Sequence, residues 1–261
     1  MITSTANQKI KRILKLQKKA EARKEEGSLT VEGTRRRKEA PESRTKELYI
    51  SETFLQKYPD LPENLKKKAE MVSDPVFAHM SDTKTPQGIL GVIRRMSWTM
   101  DELLHGEDGR APFLMVLDHL QDPGNLGTIF RTAEGAGVTG VILGSNCADL
   151  YQPKVIRSTM GSIYRMRAVC VDDMKETVRL LKQHGIHTYA AHLDDSRFYD
   201  EEDYTKPTAF LIGNEGNGLP EEICAEAEHK IKIPMYGQVE SLNAAMAAGI
   251  LMYEVCRQRR K

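Results

Sequence analysis

The chain has 261 residues, 40% of them hydrophobic and 29% charged, with a formal net charge of +1. That length suits one large or two small domains, either able to bury a proper core. Three classes are excluded. No apolar run approaches the ~18–20 residues of a membrane span. The four cysteines (Cys147, Cys170, Cys224, Cys256) lie far apart with no CxxC and no histidine at ligand spacing, so neither a metal nor a disulfide framework is expected. Cys147, Cys170 and Cys224 read as buried small residues. The N-terminus is basic and amphipathic without a signal-peptide core, and the expected location is cytoplasmic.

The near-neutral sum hides an asymmetry. Residues 1–40 hold twelve Lys/Arg against five Glu, a basic arm that suggests a polyanion, nucleic acid first, although a solvated helix face is an open alternative. Residues 7–26 read as a helix with a narrow apolar stripe (Ile10, Ile13, Leu14) among lysines, closed by Gly27. Strands follow at 29–32, 47–51, 69–73 and 88–94, with short helices at 52–58 and 74–80. The segment 34–40, TRRRKEA, falls where the first connecting helix belongs, yet it presents almost no apolar face. Either it frays or it is basic because it lies on phosphate. The pattern predicts a small α/β domain over 1–96. Residues 97–112 turn acidic and turn-forming and read as a linker with one helical turn.

From residue 113 strands alternate with helices. Strands are expected at 113–117, 140–143, 167–171, 187–192, 208–212 and 230–233, and helices at 127–136, 153–162, 174–184, 220–227 and 241–258. Strands apolar on both faces and separated by helices predict a parallel sheet covered on both sides, over 113–261. Gly135-Ala-Gly-Val-Thr-Gly140 matches GxGxxG, but a dinucleotide fingerprint follows a strand and opens a helix. Here the glycines end a helix and open a strand, so they read as a C-cap and turn.

Three loops follow strands at the sheet edge where α/β proteins bind ligands. The first, DHLQDPGNLGTIFRTAEGAG, places Asn125 at a helix mouth and Arg131 inside an apolar segment, where a buried charge needs a partner or an anionic ligand. The second, GNEGNGLP, carries Glu215 ahead of a helix. The third spans 231–254: a short strand halted by Pro234, a polar turn at Gly237, Ser241 at the N-cap position, and a helix with a small face of Ala244, Ala245, Ala247, Ala248 and Gly249. For each loop alone, turn chemistry with a helix cap is an equal reading. Three of them, rich in Asn, Glu, Ser, Arg and Gly, predict a convergent site.

Together the segments DPGNLGTIFRTAEGAGV, LIGNEGNGLP and IPMYGQVESLNAAMAAGILMYE resemble the three signature motifs of the SpoU-type (TrmH-like) RNA ribose 2′-O-methyltransferases of the SPOUT superfamily, in order and spacing. The segments NQKIKRILKLQKKAEARKEEG, LTVEG, ELYIS and SDTKTPQGILGVI resemble that family's accessory RNA-binding domain, from which TRRRKEA departs. The resemblance implies an α/β fold with a deep trefoil knot, a homodimer, and S-adenosylmethionine held by backbone around Gly213, Gly216, Ile233, Met235 and Leu242. It implies an active site of Asn125, Arg131, Glu215, Ser241 and Asn243. It also implies an RNA surface that includes Lys9, Lys11, Arg12, Lys15, Lys18, Lys19, Arg35 and Arg36.

The residue types suit that chemistry. Methyl transfer from a sulfonium is an in-line displacement that needs alignment and an activated oxygen, not a metal. A guanidinium stays protonated at neutral pH, so the expected role of Arg131 is to orient the ribose or its phosphate and to stabilise a developing alkoxide. The leading expectation is ribosomal (23S-type) RNA as substrate. Alternatives are transfer RNA, or a non-catalytic RNA-binding or ribosome-assembly protein. A nucleotide-dependent oxidoreductase is disfavoured by the misplaced GxGxxG.

Overall fold

The computed structural model describes residues 1–60, 62–105, 109–193, 196–214 and 216–260. The chain packs as two units: Met1–Met96 with Asp149–Tyr164, and Ser97–Ala148 with Arg165–Lys261. Chain order would draw the boundary differently, since residues 149–164 lie inside the predicted second domain yet pack with the first.

In the first unit the Asn7 side chain caps α1 (Gln8–Lys18), accepting the Lys9 N–H at 2.9 Å, and Ile10, Ile13 and Leu16 form the buried stripe. The single helix expected over 7–26 is two helices, α1 and α2 (Ala20–Glu26), separated by an extended Lys19. The reason is Arg23. Its guanidinium, 3% exposed, donates to the carbonyls of Leu16 and Gln17 and pairs with Asp149. The last carbonyls of a helix lack intrahelical donors, and a buried cation needs acceptors.

There follow β1 (Ser28–Glu32), α3 (Thr34–Glu39), β2 (Thr45–Ser51), α4 (Glu52–Lys57), α5 (Glu63–Lys66), β3 (Ala69–Val72), α6 (Asp74–Met80) and β4 (Ile89–Arg94). The sheet runs β1-β4-β2-β3, with β4 antiparallel to both neighbours and β2 parallel to β3. Strand alternation splits the core in two. Tyr49, Leu90 and Val92 pack with α1 and α6, while Leu48, Ile50 and Ile89 pack with α4 and α5. The segment TRRRKEA does form a helix. Its buried side is Arg37, 3% exposed with its guanidinium buried too, whose Cδ lies 3.5 Å from where a Cβ on Gly91 would stand. An arginine stem covers apolar surface as a hydrophobic side chain would.

In the second unit, α7 (Met100–Leu104) opens with a Thr99–Glu102 capping box and buries Leu103 and Leu104 in the core. The first part of the expected linker is therefore packed structure, held by two leucines that its acidic composition masked. Then come β5 (Phe113–Leu117), α8 (Pro123–Ala136), β6 (Gly140–Gly144), α9 (Pro153–Thr159, part of the first unit), β7 (Ala168–Val171), α10 (Met174–Gln183), β8 (His187–Ala191), β9 (Arg197–Phe198), β10 (Thr208–Ile212), α11 (Glu221–Cys224), β11 (His229–Lys232) and α12 (Ala244–Arg259). The sheet is parallel at every pairing, in the order β7-β6-β5-β10-β8-β11-β9. The strands β5, β6 and β10 are buried along their whole length. Gly137, at φ 74°, caps α8 and Gly140 opens β6, so the GxGxxG match is a helix stop followed by a strand. Cys170 corrects one expectation: it is exposed, on the edge strand β7, where Cys224 is buried. Among the described residues no helix is long and apolar enough to cross a membrane.

Candidate active site

All strands being parallel, the loops after β5, β10 and β11 leave from one edge of the sheet. The first is rigid. The Asp118 N–H donates to the Ile212 carbonyl at 2.9 Å, and Asp118 itself is 4% exposed with its carboxylate 2.8 Å from His119 Nδ1. His119 sits at φ 53°, a conformation side chains rarely adopt. The Asp122 carboxylate caps α8 by accepting the Asn125 N–H at 2.8 Å, with Pro123 in the first turn. The helix therefore begins four residues before the expected start. Beneath the loop, burial pushes the Cys147 thiol up to about 11, while it donates to the Leu117 carbonyl.

The second loop closes on itself. Asn214 exchanges backbone hydrogen bonds with Gly218 at 2.9 and 3.0 Å, and its side-chain oxygen accepts the N–H groups of Gly216 and Asn217. Its amide donates to the His119 carbonyl at 3.0 Å, tying this loop to the first. Gly213 must be glycine, because a Cβ there would stand 2.2–2.3 Å from the backbone of Gly218 and Leu219. The Asn-x-Gly turn chemistry of Asn214 was readable in the sequence but not singled out. Glu215 lies outside the described residues.

The third loop differs from expectation at its helix start. Ser241 is not the N-cap. α12 begins at Ala244, and the Asn243 side-chain oxygen accepts the N–H groups of Ala245 and Met246 at 3.0 and 3.4 Å. Asparagine caps as well as serine, and here it does more, since its amide donates to Asn125 Oδ1 at 3.0 Å. One side chain thus caps α12 and joins the mouth of α8. Arg131 also departs from its premise. It is exposed, and among the described residues it has no hydrogen-bond or ion-pair partner. The buried face of α8 is Leu126, Gly127, Ile129, Phe130, Ala133 and Ala136, and the 3.6-residue period turns position 131 to solvent.

A cavity of about 340 Å³ opens beside these loops, lined by Gly213, Gly216, Ile233, Met235, Ser241 and Leu242. Ala244 and Ala247 of the small-residue face form part of its wall, as do His192 and Glu240, which the sequence reading passed over. Ala245 and Ala248 are buried, and Gly249 faces Thr132 of α8. The fold also gathers His192, Glu221 and Cys224, with ligand-type atoms within 4.8 Å of one another. However, the Lys230 ammonium already engages Glu221 at 3.0 Å and supplies positive charge beside the group.

The basic residues of the first unit divide. Lys9 pairs with Glu70, Arg12 with Glu26 and Glu47, and Lys15 with Glu25 at 3.9 Å. The guanidinium of Arg12 holds the Glu26 carboxyl below the usual range. Burial would raise Glu47, but hydrogen bonds from Arg12 and Tyr49 outweigh it and lower that carboxyl as well. Arg35 meets Glu39 at 3.4 Å with its side chain 76% exposed. Lys11, Lys18, Lys19 and Arg36 have no ion-pair partner among the described residues.

Comparison with known proteins places this arrangement. The SpoU rRNA Methylase family profile matches residues 112–253, and an MRM3-like substrate binding domain profile matches residues 7–91. An uncharacterized tRNA/rRNA methyltransferase of Synechocystis sp. is 33% identical over 99% of this chain and 94% of its own. The 23S rRNA (guanosine(2553)-2'-O)-methyltransferase RlmP of Bacillus subtilis is 33% identical over 97% of this chain and 98% of its own. The crystal structure of an AdoMet-bound rRNA methyltransferase from Sinorhizobium meliloti superposes with a TM-score of 0.85 at 29% identity, covering 98% and 97% of the two chains. Matched over both units and along the whole catalytic sheet, the chain belongs to the SpoU rRNA methylase family.

Proposed function

We propose that this protein transfers a methyl group from S-adenosylmethionine to a ribose 2′-hydroxyl of ribosomal RNA. The observation that carries the reading is the convergence, at one sheet edge, of a cavity walled in part by the Gly213–Gly218 loop with the Asn125–Asn243 pair. Similarity to RlmP along nearly the full length supports ribosomal over transfer RNA.

The cavity fits the cofactor. Its volume, about 340 Å³, lies in the range of small-molecule sites, and the Gly213 cradle keeps backbone close to whatever enters. Gly213, Gly216, Ile233, Met235 and Leu242 would hold it, largely through main-chain groups. When bound, S-adenosylmethionine supplies an electrophilic sulfonium methyl. Asn243 and Asn125 fix the two helix mouths relative to each other, and Ser241 at the cavity wall positions the ribose. Arg131, exposed and without a partner among the described residues, binds the ribose phosphate and stabilises the developing alkoxide while the proton leaves to phosphate or water. Glu215 is assigned to holding Arg131 or Asn125.

The same reading includes a deep trefoil knot closed by 231–254, a homodimer and a cytoplasmic location. Met246 and Tyr253, 60% and 56% exposed and seven residues apart on α12, support the dimer as an apolar strip for a second copy. The small face of α12 supports the knot, because a threaded chain needs close backbone approach.

Labelled S-adenosylmethionine incubated with unmodified ribosomal or transfer RNA tests the reading. Ribosomal RNA should accept methyl at ribose, and Asn125→Ala should lose most of the transfer. Methylation of transfer RNA alone would redirect the substrate, and binding without transfer to either would make this an RNA-binding protein. A pH–rate profile tests Arg131: an activity step that Arg131→Lys moves to lower pH would make Arg131 the base and overturn its assigned role.

A further inference from the structure

The first unit holds a cavity of about 620 Å³ between α4, α6, the start of α3 and the loop 85–88. Its walls are specific in kind. Tyr58 is 45% exposed, its ring 4.8 Å from Phe54 and its face 5.6 Å from the Lys57 ammonium. Gln87 Oε1 accepts the Thr34 N–H at 2.9 Å and lies 3.3 Å from the Thr34 hydroxyl, which orients the amide and leaves its NH₂ to read another group. Asp74 accepts from the Thr53 N–H and hydroxyl, a fixed acceptor on the same wall. Gly88, at φ 77°, brings the loop so near that a Cβ would stand 2.6–2.7 Å from Ser51 Oγ and Phe54 Cβ. A second depression, of about 390 Å³, shares Thr34 and is bordered by Arg35, Lys38 and Glu39, the carboxylate of Glu39 lying 3.4 Å from Arg35.

We propose that this cavity receives one unpaired nucleotide of the RNA substrate, its base against Tyr58 with an edge toward the Gln87 amide, and its phosphates on Arg35 and Lys38. The inference rests on the RNA reading above and adds where and how RNA is read. An aromatic face, a cation, an amide and a fixed carboxylate around a void of this size suit a flat, polar-edged ring. Bases are available to such a pocket only where RNA is unpaired. The placement also gives TRRRKEA its reason. On α1 Lys9, Arg12 and Lys15 are engaged by Glu70, Glu26, Glu47 and Glu25, while α3 buries Arg37 and turns Lys38 and Arg35, the latter 76% exposed beside Glu39, outward.

Filter binding of an unmethylated 23S ribosomal RNA transcript to the full-length protein, between about 50 and 200 mM salt, tests this. Tyr58→Ala should weaken binding roughly tenfold or more at every salt concentration, as alanine replacement of a stacking aromatic does, with the salt slope unchanged. Tyr58→Phe should bind as wild type. Arg35→Ala with Lys38→Ala should flatten the salt slope. Cofactor affinity by calorimetry should be unchanged in all of them. Should Tyr58→Ala fold poorly, Tyr58→Trp supplies the readout: added transcript should quench its fluorescence beyond the change seen with Trp98 alone. Wild-type binding with Tyr58→Ala within twofold of it, or Tyr58→Trp without quenching, overturns the pocket and leaves the RNA reading standing. A wild type that binds no transcript overturns both.

Discussion

The two cavities are built from different material. In the second unit one wall is a tight glycine loop, with Gly213 packed onto Gly218 and the turn tied by Asn214, and the alanine face of α12 forms part of another. In the first unit the walls are long side chains, Lys57, Tyr58 and Gln87, on a sheet sandwiched between helices. A backbone-lined site has one shape and punishes a single added methyl. A side-chain-lined site loses its ligand by degrees, as each group is removed, and keeps its fold.

The sharpest way to break that contrast is Gly213→Ala. The new Cβ has no room against backbone, and overpacking of this kind costs ~1–3 kcal/mol, so S-adenosylmethionine affinity should fall ten- to a hundredfold by calorimetry. An unchanged affinity would show that the cavity is not backbone-limited. Next in size is Asn243. Asn243→Ala removes a cap worth ~1 kcal/mol together with the bond to Asn125, and should lower both Tm and kcat. Asn243→Asp keeps the capping oxygen and loses the donated bond, so Tm should hold while kcat drops about tenfold. An unchanged kcat in Asn243→Asp would leave the Asn125 contact without a catalytic role.

In the first unit, Arg12→Ala should cost ~1 kcal/mol, its ion pairs being about one-third exposed and screened. The pH dependence gives the sharper test. Glu26 and Glu47 are held below their ordinary range in the folded chain. Their stabilisation is therefore complete above the unfolded value, about 4.3, and is lost as pH falls through the folded values. Thermal melts should show wild type losing more stability than Arg12→Ala between pH 6 and 3 (about one and a half units either side of that value). Parallel acid limbs would detach Arg12 from both carboxylates. The smallest effect is chemical: with its thiol pushed up to about 11, Cys147 should resist iodoacetamide near neutral pH while exposed Cys170 reacts, as read by peptide mass. Equal labelling would mean that the underside of the first loop is open.

Why one cavity was readable and the other was not follows from the same difference. The DPGN, GNEGNG and ESLNAA segments announce turns, caps and close approach, which are local properties of Gly, Pro and Asn, so the loops could be found residue by residue. Tyr58, Gln87 and Thr34 belong to three separate elements and carry no local signal. Only the sheet order β1-β4-β2-β3 and the packing of α4 and α6 bring them to one wall. Charge behaved likewise. Arg12 and Arg35 look alike in sequence, but one is bound by two carboxylates from α2 and β2 and the other meets only its helix neighbour Glu39 and stays 76% exposed.

The sequence by itself determined the alternation of strands and helices, the parallel sheet, the three loops and their family, because hydrophobic period and turn chemistry are written in neighbouring residues. Tertiary structure alone decided that Asn243 rather than Ser241 caps α12, that Arg131 faces solvent, that Arg23 breaks the first helix and that residues 149–164 pack with the first unit. Two of those involve a partner distant in the chain, Asn125 lying 118 residues from Asn243 and Asp149 lying 126 from Arg23, whereas the outward turn of Arg131 follows from where α8 starts and which of its faces is buried. Hydrogen bonds and buried charges are satisfied in space, by whichever residue the fold brings near.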